Sequence, residues 1–131
     1  MSIKDRGYQK VTKAQARKCI NWCKERLNLR DWDITLKWGP IDDEEDCLGY
    51  TYIRTSGPWT FRAFVSVDPE SCRNENSNAY VTVCHEMIHV LTVGKCKITP
   101  GSDEHVARAF EDFLYVDYCK FAGIEKVKLE D

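Results

Sequence analysis

The alternation of hydrophobic and polar positions divides the chain into a helix, three strands and two further helices. Ala16, Cys19, Ile20, Cys23 and Leu27 recur at spacings of three and four, which places them on one face of a helix over residues 13–28. Thr12 stands ready to cap it, and Trp22 lies at the edge of the stripe. After Leu29 the period shortens to two. Trp32, Ile34, Leu36 and Trp38 alternate with polar residues, the pattern of a half-buried strand ended by Gly39 and Pro40. Two more strands are predicted over residues 48–54 and 61–67, and the second sets Phe61, Ala63, Val65 and Val67 on one side. Pro69 stops that strand, and residues 73–78 form a polar connector rich in N-cap candidates. A helix is expected over 79–93, ended by Gly94. A last one runs over 102–122 with Val106, Ala109, Phe110, Phe113 and Leu114 as its apolar face.

The penultimate helix carries the most specific chemical signal, His85-Glu86-Met87-Ile88-His89. Residues four apart share a helix face with about 5–6 Å between Cβ atoms. Two imidazoles so placed can close on one Zn²⁺ at about 2.0–2.1 Å. Glu86, one step along, faces the adjoining cleft, where a carboxylate can take a proton from a metal-bound water. The chain has only 3 His, and roughly 0.3% of shuffled sequences of this composition would contain such a motif. Val83, Met87, Ile88, Val90 and Leu91 flank it with uncharged apolar side chains. Catalytic zinc takes three protein ligands and leaves a fourth position for water. The third is expected from Asp103, Glu104 or His105, which open the last helix after a loop that can return the chain to the metal. Glu104 shares a helical stripe with Ala107, Phe110 or Glu111, and Leu114, so it is the preferred ligand. His105 is the alternative and Asp103 stands behind both. His105, Tyr80 and Tyr115 are further candidates to stabilise an oxyanion.

Length and composition fit one domain spanning residues 1–131. No apolar run approaches the roughly 18 residues that span a bilayer, so no membrane partner is expected. The first residues lack the apolar core of a secretory signal, so a cytoplasmic setting is expected. The 7 cysteines are an odd number and include no Cys-x-x-Cys pair, which removes a zinc ribbon or thioredoxin-type site. Cys19 and Cys23 are expected to pack as small hydrophobes, and Cys84 to turn towards the core. The net charge of −2 hides an asymmetry: nine Lys and Arg stand against Asp5 and Glu25 in residues 1–30. A basic first helix can follow a nucleic-acid backbone, although such a face is more often simply solvated. The acidic run over residues 42–46 lacks the glycine turn and ligand spacing of a calcium loop.

His85 to His89 with their apolar flanks resemble the extended signature of zincin metallopeptidases. The order of the other signals is similar to small gluzincin-like proteins of phages and prophages. There Leu-x-x-Trp-x-Ile precedes a strand with a central Ala, then the motif helix, then a helix opening with two acids. Leu29, Trp32 and Ile34, then Ala63, then Asp103 and Glu104 occupy those places here. The pentapeptide also resembles that of SprT-type proteases, which act on DNA-bound proteins through a distal third histidine normally beside a glycine. His105 is followed by Val106 instead. The resemblance covers residues 12–120 and implies an α+β, minimal zincin-like fold: N-terminal helix, a sheet of three or more strands, motif helix and C-terminal helix.

The implied activity is zinc-dependent peptide-bond hydrolysis. Glu86 would serve as general base, His85, His89 and Glu104 as ligands, and a protein or peptide as substrate, in a host cytoplasm if the gene is phage-borne. Specificity is expected to lie in the strand over residues 61–67, whose edge could pair with an extended peptide. Two alternatives use the same frame, a non-catalytic zinc-binding domain that docks a protein partner and a SprT-like protease acting near DNA.

Overall fold

The computed structural model describes residues 2–3, 7–41, 47–54, 61–98, 101–124 and 129–130. The elements in chain order are β1 (Ser2–Ile3), α1 (Lys13–Arg26), β2 (Asp33–Trp38), β3 (Gly49–Arg54), β4 (Arg62–Val67), α2 (Pro69–Asn74), α3 (Ala79–His89) and α4 (Ser102–Ala122), then β5 (Leu129–Glu130). The fold is α+β. The acidic run at 42–46 and the turn at 55–58 lie outside the described residues.

Helix α1 begins where the sequence places it. The Thr12 hydroxyl accepts from the Gln15 amide, and the Gln15 side chain accepts from the Thr12 amide in return. This reciprocal cap satisfies two of the donors that a helix start leaves orphaned. The helix stops at Arg26, two residues short of the expected end, because Asn28 turns into the left-handed region at φ 56°. Its apolar stripe is buried as Ala16, Cys19, Ile20 and Cys23.

The sheet has the order β2-β4-β3. Strand β4 pairs parallel with β2, Ile34 opposite Ala63, and antiparallel with β3, Thr51 opposite Val65. The chain therefore leaves β2, forms the edge strand β3, and returns between the two. Ala63, Val65 and Val67 of β4 are buried as the alternation predicts, but Phe61 is 51% exposed and packs edge-on to Trp32. Antiparallel β1 and β5 form a separate pair.

Pro69 ends β4 and also starts a helix, α2, that the polar composition conceals. Asp68 caps it by accepting from the Glu70 and Ser71 amides, and Pro at the first helical position costs no hydrogen bond. Asn78 then caps α3 through the Tyr80 amide. Helix α3 is the centre of the molecule, packed by α1 and α4 and by the sheet. After His89 it does not simply end at Gly94: Val90–Lys95 continue it as a π-helical stretch. Gly94 meets the Trp32 indole so closely that a Cβ there would stand 2.7 Å from Cη2.

Helix α4 has the expected bounds but a different buried face. Ala107, Leu114, Tyr115, Tyr118 and Cys119 are buried, whereas Phe110 and Phe113 are 55% and 62% exposed and Ala109 is exposed. Val106 is half-buried. The core also collects thiols, for Cys19, Cys23 and Cys84 are fully buried together. Burial pushes the Cys19 and Cys84 thiols up. Hydrogen bonds from those two thiols pull Cys23 down to about 5, against the cost of burial.

Candidate metal centre

One turn of α3 presents His85 and His89 on the same side, their Nε2 atoms 3.1 Å apart. The first turn of α4 brings Glu104 against both. Its Oε1 lies 3.2 Å from His85 Nε2 and its Oε2 3.0 Å from His89 Nε2. Donors held by one zinc at about 2.0–2.1 Å in tetrahedral directions stand about 3.3–3.4 Å apart. The three side chains are thus within a few tenths of an ångström of a coordinating triangle, and they form one of two clusters able to hold a metal ion among the described residues. The second cluster is Cys19, Cys23 and Cys84.

The far sides of the imidazoles support this orientation. His89 Nδ1 lies 2.9 Å from Asp103 Oδ2, at ion-pair distance though not aligned as a hydrogen bond. His85 Nδ1 lies 3.5 Å from Glu111 Oε2. A carboxylate on Nδ1 fixes the ring and leaves the Nε2 lone pair for a metal. Burial disfavours the charged form of His85. The Glu111 bond and the charges of Glu86, Glu104 and Glu111 outweigh it, so its pKa is raised. Partial burial acts against the Glu104 carboxylate, but Arg108 at 3.0 Å and the two histidines hold it below its ordinary range.

Glu86 is buried on the adjoining side of α3. Burial raises its pKa, against the opposing effects of Thr51 and the two histidines. The Thr51 hydroxyl on β3 lies 2.7 Å from Glu86 Oε1 and 3.1 Å from the Glu86 carbonyl. Gly49 allows this approach, because a Cβ there would stand 2.6 Å from Thr82 Cγ2 and 3.1 Å from Glu86 Oε2. Two open clefts meet at the site, and Gly49, His85, Glu86 and Glu104 line both.

The arrangement sorts the sequence candidates. His85, Glu86, His89 and Glu104 come together. Asp103 stands behind His89, and His105 is exposed on the next face of α4, outside either metal-capable cluster. The stripe from Glu104 continues through Ala107 and Glu111 to Leu114, with Glu111 rather than Phe110 as its third member. Tyr80 and Tyr115 do not face the clefts. Tyr80 packs on Tyr118, and Tyr115 accepts from Asn78 in the core.

The strand over residues 61–67 is central, paired on both sides, so it offers no edge to a peptide. Strand β3 is the one beside the site, and its residues Tyr50, Thr51, Tyr52 and Ile53 line one cleft. Thr51 and Gly49 carried no sequence signal, since their importance comes from a contact across 35 residues of chain. Compared with family models, curated proteins and solved structures, the chain matches none. No helix among the described residues is long and apolar enough to cross a membrane.

Proposed function

We propose that the protein is a zinc-dependent metallopeptidase with a minimal zincin-like fold, in which His85, His89 and Glu104 hold the ion and Glu86 is the general base. The observation that carries this reading is the convergence of two imidazole nitrogens and one carboxylate beside a second, buried carboxylate in the same cleft. Two neutral imidazoles and a carboxylate are a donor set that zinc takes in open, reactive sites, whereas closed structural sites favour four Cys or His ligands.

Bound zinc would supply a Lewis acid that brings the pKa of a coordinated water towards about 7. The chain supplies the rest. Glu86 accepts a proton from the attacking water and passes it to the leaving amine nitrogen. Thr51 holds the Glu86 carboxyl in place, and the partial desolvation that raises its pKa makes it a better base than an exposed glutamate. Glu111 holds the His85 ring, and the Asp103 carboxylate stands 2.9 Å behind His89. An extended peptide lying along β3 would pass its backbone over Glu86 and the ligand triangle, pairing with the strand by main-chain hydrogen bonds.

The test compares wild type with Glu86→Gln on a denatured protein or mixed-peptide substrate, with metal content measured on both. Expected is equal zinc and a loss of turnover of about 10²–10⁴-fold in the variant. A zinc-replete Glu86→Gln protein that still cleaves would overturn the mechanism. Zinc-replete wild type that cleaves nothing, across a broad peptide mixture, would instead favour a partner-binding zinc domain. His85→Ala and Glu104→Ala should each lose one equivalent of zinc, and His105→Ala should lose none.

A further inference from the structure

The inner side of α3 carries chemistry that the proposed reaction does not use. Cys84 precedes His85 by one residue, a turn of about 100° around a helix, and its side chain is 0% exposed. Cys19 and Cys23 of α1, four residues apart and also fully buried, meet it there. The three Sγ atoms all lie within 4.8 Å of one another. Three sulfurs bound at about 2.3 Å to a common ion stand about 3.8–4.0 Å apart. The thiol triangle therefore needs to contract by no more than about 1 Å to take an ion at its centre.

We propose that Cys19, Cys23 and Cys84 form a second, structural metal site for a soft closed-shell cation, Cu⁺ or Zn²⁺, which ties α1 to the back of the histidine-bearing helix. The donor set selects the ion class. Thiolates favour Cu⁺ and Zn²⁺, while Mg²⁺ and Ca²⁺ require oxygen. Full burial keeps water out, so the protein alone sets the coordination number. Three sulfurs suffice for Cu⁺. Zinc needs a fourth ligand, for which Cys119 of α4, a buried thiol outside the 4.8 Å cluster, would have to move inward.

Packing alone does not require this geometry. Cys72 is equally buried, yet its sulfur lies by the Thr82 hydroxyl at 3.9 Å rather than joining other thiols. Binding releases the thiol protons to solvent as each sulfur becomes a thiolate. The negative charge then left in the core lies beneath a helix bearing Lys13, Arg17, Lys18, Lys24 and Arg26 against the single acid Glu25. The basic helix thus has the sign that a thiolate cluster needs.

The proposal stands whether or not the histidine cluster is catalytic, and its test silences that cluster. The His85→Ala/His89→Ala protein, reduced and free of oxygen, is titrated with Co²⁺ as a spectroscopic substitute for zinc and, separately, with buffered Cu⁺. Expected in one arm is a thiolate-to-metal charge-transfer band that saturates at one equivalent, with a rise in Tm. Adding Cys84→Ala should abolish both, and Cys23→Ala serves in the same way if that variant folds poorly by circular dichroism. A band with Cu⁺ alone identifies three-sulfur coordination. A band with Co²⁺ that Cys119→Ala removes identifies the four-sulfur form. Folded protein that gives no band and no Tm rise with either ion overturns the proposal.

Discussion

Glu86 acquires its character from a partner that is distant in sequence. An unsupported glutamate on α3 would sample several rotamers, but the Thr51 hydroxyl at 2.7 Å selects one. Removing that hydroxyl while keeping the side-chain shape should therefore damage the base without touching the ligands. Thr51→Val is expected to retain zinc and KM and to lower kcat by up to about 10²-fold, the cost of misplacing a reacting group by about an ångström. Thr51→Ser should restore most of the rate. Unchanged kcat in a folded Thr51→Val protein would dismiss the positioning role.

The residues that were legible in the sequence are those whose chemistry is encoded by local spacing. His85, Glu86 and His89 need only one helix to be brought together, and Glu104 needs only the next helix to begin where its acids begin. His105 and Glu104 are adjacent, and only the rotation of α4 about its axis decides between them. That rotation is set by packing on α3, which local spacing does not record.

At the scale of elements, the starts of α1 and α3 were readable because caps are local chemistry, and Thr12 and Asn78 cap them where expected; α4 also starts at Ser102 as expected, without a side-chain cap. The buried face of α4 was not readable. Counting large apolar residues favours Phe110 and Phe113 beside Leu114, but the helix buries Leu114 with Ala107, Tyr115 and Tyr118, because its rotation turns Glu104 and Glu111 to the site and leaves the two phenylalanines outside. Strand order was equally hidden. Three successive strands suggest neighbours in sequence order, and nothing local announces that β4 inserts between β2 and β3.

The π-helical stretch after His89 was also unreadable, and it contains one residue whose fit can be tested. Gly94 is the only side-chain size that fits against Trp32, with a Cβ already 2.7 Å from the ring. Gly94→Ala should destabilise the protein by about 1–3 kcal/mol through overpacking, seen as a drop in Tm. The change should be relieved when Trp32 is reduced to Phe. A Gly94→Ala protein of wild-type Tm would show that the indole moves aside freely.

For the whole molecule, the site makes stability, pH and metal a single linked system. In the metal-free protein the His85 pKa is raised above its ordinary value near 6.5, because the Glu111 bond and neighbouring carboxylates outweigh burial. The Glu86 pKa is raised above its ordinary 4.5 by burial. A group whose folded pKa is raised contributes stability that is complete below its unfolded pKa and is lost as pH rises through its folded pKa. For Glu86 that loss begins above about 4.5 and for His85 above about 6.5. Both therefore make the metal-free fold weaker as pH climbs towards neutrality and beyond.

Metal binding reverses the demand, since His85 must shed its proton to act as a ligand and the ion's affinity rises with pH. An ion that binds only the folded chain adds stability in proportion to the logarithm of its concentration over Kd. The gap in Tm between zinc-loaded and metal-free protein is thus expected to be small near pH 5 and to widen steadily to pH 8, measured in the Cys84→Ala background so that only the histidine cluster responds. The metal-free curve should fall across the same interval while the loaded curve holds or rises. A gap that stays constant from pH 5 to 8 would mean that the ion is not exchanging with the proton on His85, and the ligand assignment would fail with it.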